Sequence, residues 1–192
     1  PNTAFDVISP IDPQMQQLVK HVDGLLDEGG FTNFGSSYYL TGDDWTQRIQ
    51  LMVSMQKQHK PYFLIDLFPS VGHQQIQWAL ASYLMAKDHA ASLFISTPDG
   101  YGSDMLYAEY NAQIGTPLGP MYQAQHVYFR SYSNGMSIVN PSATATYMVN
   151  LNKATYMVNL NASHSYHDLY GNAVNQVVTL PPHSGLVLLS TS

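Results

Sequence analysis

Cysteine is absent from these 192 residues. A disulfide framework and a cysteine-ligated zinc site are therefore both excluded. Positive charge is scarce: seven Lys and Arg stand against 13 Asp and Glu, a formal net charge of −6. That leaves no basic footprint for nucleic acid, which is excluded as a partner. Charge of either sign is low, at 10% of residues against about 25% in an ordinary globular chain. No apolar run of about 18 residues occurs, so no membrane span is expected. Pro1 to Pro10 lacks the basic region and apolar block of a signal peptide.

What the chain does have is apolar and aromatic. Hydrophobic residues make up 45% and aromatic residues 12%, with 14 Tyr, the reverse of a disordered composition. The polar surface falls to Gln, Asn, Ser, Thr and Tyr, a style met outside the cell. An extracellular or cell-surface location is the expectation.

The first two thirds alternate strand and helix signals. Phe5 to Ser9 is a short strand closed by Pro10. Asp12 as N-cap and Pro13 at the first helical position open a helix, with Met15, Leu18, Val19 and Val22 at helical spacing. Asp23 to Glu28 is a second strand, ended by Gly29-Gly30. Trp45, Ile49, Met52 and Val53 mark a helix, broken at Pro61. Tyr62 to Phe68 is a continuous apolar run around one acid, Asp66, as in a strand buried on both faces. Gln74 to Lys87 is helical, with Ile76, Ala79, Leu80, Tyr83 and Leu84 on one face. Ala91 to Ser96 is the fourth strand. Such alternation reads as βαβ units on a parallel sheet.

After Gly119-Pro120 the pattern becomes antiparallel β. Val127 to Tyr132 and Met136 to Asn140 flank the turn signal Ser133-Asn134-Gly135. Val177 to Leu180 and Gly185 to Leu189 add two strands. The octapeptide Ala145 to Asn152 recurs identically as Ala154 to Asn161. Each copy alternates as a strand, and Asn152-Lys153 is a candidate turn between them. Two copies are too few for a solenoid.

In a parallel α/β sheet, reacting groups sit at the C-terminal ends of strands. Asp27 and Glu28 end the second strand, Asp66 lies late in the third, and Asp99 follows the fourth. A carboxylate inside the run around Asp66 must be paired, hydrogen-bonded or protonated. Glu28 shares strand parity with Gly24 and Leu26, so it is preferred to Asp27 as the group at the sheet top. Glycosidases need two carboxyl groups about the scissile bond. Glu28 and Asp66 form the expected pair, with Asp99 as a substitute. Asp27 and the aromatic residues Phe31, Phe34, Tyr38, Tyr39, Phe68 and Tyr101 are the candidate sugar-binding residues.

Other chemistries find little support. His164 and His167 lack a third ligand, so no metal is expected. Neither Gly29-Gly30 nor Gly100-Tyr101-Gly102 fits a phosphate loop, and no nucleophile elbow occurs. No cofactor is expected. Asn161-Ala162-Ser163 is a glycosylation sequon.

Several segments together carry a resemblance. They are Val22 to Phe31, the Trp45-headed helix, Lys60 to Asp66, and Tyr83-Leu84-Met85-Ala86. Tyr107-Ala108-Glu109-Tyr110 and Ile114 to Gly119 continue it. So do Val127 to Gly135, Ile138-Val139-Asn140-Pro141-Ser142, Tyr166 to Gly171 and Leu180 to Leu189. This order resembles a family of TIM-barrel glycoside hydrolases with a C-terminal β domain. The resemblance implies an acid after Asp-Gly as the catalytic group, carbohydrate as substrate, and hydrolysis as activity. It also implies a division: residues 1–120 as the C-terminal half of a (β/α)8 barrel, and 121–192 as an antiparallel β domain.

A full barrel takes about 250 residues, and here only about 120 precede the β region. The expectation is therefore a partial barrel whose other half is a missing N-terminal segment or is supplied by self-association. A non-catalytic carbohydrate-binding or structural surface assembly protein built from the same parts is the alternative.

Overall fold

In a computed structural model of the chain, residues 12–32, 39–100, 106–154 and 165–191 are described. The expected first strand at 5–9, Phe34, Tyr38, Tyr101, His164 and the 161–163 sequon lie outside them, as does the second repeat copy beyond Ala154.

The described chain is mixed α/β. Helix α1 (Pro13–Lys20) starts as its sequence requires, with the Asp12 carboxylate accepting the backbone N–H groups of Gln14 and Met15. Strand β1 (Leu25–Asp27), helix α2 (Gly42–Lys57), β2 (Tyr62–Leu67), α3 (His73–Ala86) and β3 (Ala91–Ser96) follow. The three strands form a parallel sheet in the order β1-β2-β3. Among the described residues this sheet does not close into a barrel.

Sequential strand order with right-handed crossovers puts both connecting helices on one face. Strand alternation shows which face. Leu25, Tyr62, Leu64 and Ile95 are buried beneath the helices in one continuous core. The opposite face carries Leu26, Phe63 and Phe94 together with Ile65 and Leu67, which are buried. Phe63 is 48% exposed, and Leu26 and Phe94 are only partly covered.

The second part is antiparallel. Strands β4 (Tyr122–Ala124), β5 (Val127–Tyr132), β6 (Gly135–Asn140), β7 (Tyr147–Asn150), β8 (Tyr166–Asp168), β9 (Ala173–Val174), β10 (Val177–Leu180) and β11 (Ser184–Ser190) build two sheets. Six strands pair in the order β4-β5-β6-β11-β8-β9, and β7 pairs with β10. The β5–β6 turn is Ser133-Asn134, with Tyr132 opposite Gly135. The first repeat copy forms β7 and a short 3-10 turn at Leu151–Lys153, and it pairs with β10. The expected turn at Asn152-Lys153 is thus part of that 3-10 segment.

Helix α3 is the junction. Every residue from Ile76 to Ala86 is buried. One side meets the parallel sheet. The other meets the six-stranded sheet, whose Tyr132, Val139 and Val187 join the same core. A second core fills the opposite face of that sheet, where Val127, Phe129, Met136, Ile138 and Leu188 pack with Val149 and Leu180. The boundary expected at 120/121 falls between the two sheets, but the core runs across it.

Such a helix must satisfy its polar groups internally. The Gln77 side-chain carbonyl accepts from Val187 N–H at 2.9 Å. Ser137 Oγ donates to Ala81 O, and Trp45 Nε1 donates to Ser82 Oγ, both at 2.9 Å. At the C-terminal end, Arg130 Nη1 donates to Leu84 O and Lys87 O at 3.0 and 2.8 Å. Tyr132 Oη donates to Leu84 O, and Gln56 Nε2 to Ala86 O. A cation there also suits the helix dipole.

Strand β11 crosses α3 closely at Gly185. A Cβ there would lie 2.5 Å from Gln77 O and 2.7 Å from Ala81 Cβ. Gly185→Ala is expected to lower stability by about 1–3 kcal/mol through overpacking. Urea unfolding measures it, and an unchanged midpoint would contradict the close crossing.

Candidate functional site

The turn after β1 holds the acids that the sequence brings forward. Asp27 is 0% exposed and points to the helix side of the sheet. Its Oδ1 accepts the N–H groups of Gly29 and Gly30, each at 3.1 Å. Its Oδ2 accepts from Arg48 Nη1 on α2 and from Tyr62 Oη on β2. Burial works against the Arg48 charge, but the Asp27 carboxylate overrides it and holds the guanidinium protonated. Tyr62, buried and beside Asp27, is pushed well above the usual phenol range.

Asp66 lies on the same face as Tyr62 and Leu64, also 0% exposed. Its Oδ1 accepts Phe31 N–H at 2.5 Å and the Thr32 hydroxyl at 3.4 Å. Thr32 Oγ1 in turn accepts Leu67 N–H at 3.1 Å. Burial pushes the Asp66 carboxyl up to about 7, against the Phe31 N–H bond, and the nearby Asp27 charge adds to the rise. Among the described residues, its Oδ2 and Arg48 Nε have no hydrogen-bond partner.

Asp27 and Asp66 are both interior groups, fully buried. Phe31 and Phe68 are buried as well, with Phe31 against Trp45 and Phe68 against Tyr39. Both pack in the core. Tyr39 is half-buried. Its ring stacks on His183 at 5.1 Å and meets Trp78 edge-on at 5.3 Å.

Glu28 and Asp99 remain at the solvent boundary, Glu28 half-buried and Asp99 exposed. Each follows the C-terminal end of its strand, β1 and β3, with β2 between them. Two grooves are formed by described residues elsewhere on the surface. One, of about 670 Å³, runs along Val53, Lys57, Met121 and Arg130. The other, of about 490 Å³, lies along Tyr83, Leu93, Glu109 and Tyr110. None of the four acids lines either groove.

Arg48 is the residue that sequence reasoning missed. It sits three residues after Trp45 and one before Ile49, inside the apolar stripe of α2. A cation in that stripe needs a buried anion on the facing strand, and Asp27 is that anion.

A scan against models of known protein families finds no match to this chain. A search of curated proteins finds none either. Among the described residues, no group of three or more His, Cys, Asp or Glu side chains could hold a metal ion. No helix among them is long and apolar enough to cross a membrane.

The raised Asp66 value fixes a pH dependence. The folded state keeps this proton above the ordinary carboxyl range and the unfolded state does not. Between about pH 4 and 7 the native state therefore binds more protons, and this contribution to stability falls as pH rises. Relative to Asp66→Asn, the wild-type protein is expected to lose stability steadily across that window. Denaturant melts of both proteins at several pH values test it, and a constant difference would contradict it.

Proposed function

We propose that this chain is part of a glycoside-hydrolase-like protein that hydrolyses carbohydrate with two carboxylates, Glu28 and Asp99. One observation carries the proposal. A parallel sheet with helices packed on it ends in two solvent-reaching acids after strand C-termini, the place where α/β sheets put their chemistry. Two strand spacings set the axes of β1 and β3 about 10 Å apart, with β2 between the strands that the two acids follow. Asp66, the expected partner of Glu28, leaves the pair because it is buried on the helix side.

The other face of the sheet supports the barrel part of the reading. Phe63, with Leu26 and Phe94, forms an apolar surface of the kind that fills a barrel interior. Further strands, from additional chain or from a second copy, would cover it. The location proposed is extracellular or at the cell surface, in keeping with the low charge.

A second reading has its own observation. The outer edge of β3 is blunted: Tyr110 Oη accepts Ile95 N–H at 3.0 Å and Tyr83 Oη donates to Ala91 O at 2.8 Å. A strand that closed a barrel at this edge would displace Tyr110. An open sheet with capped edges suits a non-catalytic carbohydrate-binding or structural assembly protein.

Assay on a glycan panel separates the two. Hydrolysis that falls at least about 100-fold in Glu28→Gln and in Asp99→Asn, with binding retained, is the expected result. Glycan binding without turnover in the wild type would favour the second reading. Turnover unchanged in both variants would sink the carboxylate assignment.

A further inference from the structure

The turn that carries Glu28 is held by its neighbours to an unusual degree. Residues 29 to 32 hang on two buried carboxylates. Asp27 takes the N–H groups of Gly29 and Gly30, and Asp66 takes the N–H of Phe31 and the hydroxyl of Thr32. The turn is built around this contact. Gly30 has φ +51°, and a Cβ there would lie 2.2 Å from Asp66 Oδ1 and 2.5 Å from Ile65 O. Only glycine fits both the left-handed backbone and the approach. On the far side, Trp78 Nε1 donates to Phe31 O at 3.4 Å, and Leu40 N–H bonds the same carbonyl at 3.0 Å.

We infer that Asp27 and Asp66 are positioning residues, which together fix the turn after β1 and so set where Glu28 stands at the sheet end. The two do this differently. Asp27 is charge-paired with Arg48 and bonded by Tyr62, a fixed anchor. Among the described residues, Asp66 has no cation bonded to it, and its Oδ2 has no hydrogen-bond partner. The titratable groups whose charges act on it are Asp27 on β1, Arg48 on α2 and Tyr110 after β3. With its carboxyl pushed up to about 7, Asp66 changes charge near neutrality. Its bond to Phe31 N–H strengthens when it ionises. The Phe31 end of the turn therefore tightens as pH rises. What Glu28 does there rests on the hydrolase reading. The latch itself does not.

Amide NMR on the full 192-residue chain tests the latch. In the wild type, the Phe31 and Thr32 amide signals are expected to titrate together, with a midpoint near the Asp66 value. In Asp66→Asn both signals should be flat, and Phe31 hydrogen exchange should rise about tenfold, while β11 amides stay protected. Protected β11 amides also show that the variant is folded. A Phe31 signal that does not titrate in the wild type, or unchanged exchange in folded Asp66→Asn, would overturn the inference. Glycan turnover is read in parallel. If Glu28 acts from this turn, kcat follows the same midpoint and KM does not. An amide titration without turnover leaves the latch standing and removes the hydrolase reading. Turnover without an amide titration removes the latch alone.

Discussion

The burial of α3 on every side is the constraint on which the rest of the structure depends. A helix between two sheets has no water for its polar groups, so each must find a protein partner. This requirement explains Gln77 at the β11 backbone, Ser82 under Trp45, and Ser137 against Ala81 O. It explains the convergence of Arg130, Tyr132 and Gln56 on the last carbonyls of the helix. It also fixes the antiparallel sheet against the parallel one, because the sheet side chains that satisfy α3 also pack its outer face. The two halves of the sequence therefore share one core.

The same economy governs the acids. A buried carboxylate is tolerated only with partners, and Asp27 and Asp66 find theirs in Arg48, Tyr62 and the N–H groups of the β1 turn. They are the supports of the sheet end, while Glu28 and Asp99 meet solvent there. The division of labour follows from strand alternation. Asp27 and Asp66 share the face of Leu25, Tyr62 and Leu64, under the helices. Burial pushes the Asp66 carboxyl up and so favours its neutral form in the interior.

Much of this fold is legible in the sequence, and the illegible parts have physical causes. Asp12-Pro13, Pro61 and the apolar runs at 62–67 and 91–96 mark α1 and the ends of β2 and β3, because capping and periodicity are local. The second buried face of α3 is not marked. Its residues there are Gln77, Ala81 and Ser82, small or polar groups whose burial comes from partners distant in sequence. The pairing of β7 with β10 is likewise non-local, and a repeated octapeptide points instead to a local hairpin. The side on which Asp66 lies escapes notice because residues 62 to 68 are apolar on both parities. The placement of Arg48 in an apolar stripe is the one local sign that a buried anion stands opposite.

The four strand-end acids divide into two that are buried, Asp27 and Asp66, and two that reach solvent, Glu28 and Asp99. Carbodiimide labelling of carboxyl groups in the native protein, read residue by residue by mass spectrometry, tests it most directly. Asp99 should label fast and Glu28 more slowly, while Asp27 and Asp66 stay unlabelled until the chain is unfolded. Labelling of Asp66 in the native state at a rate comparable with Asp99 would contradict the account.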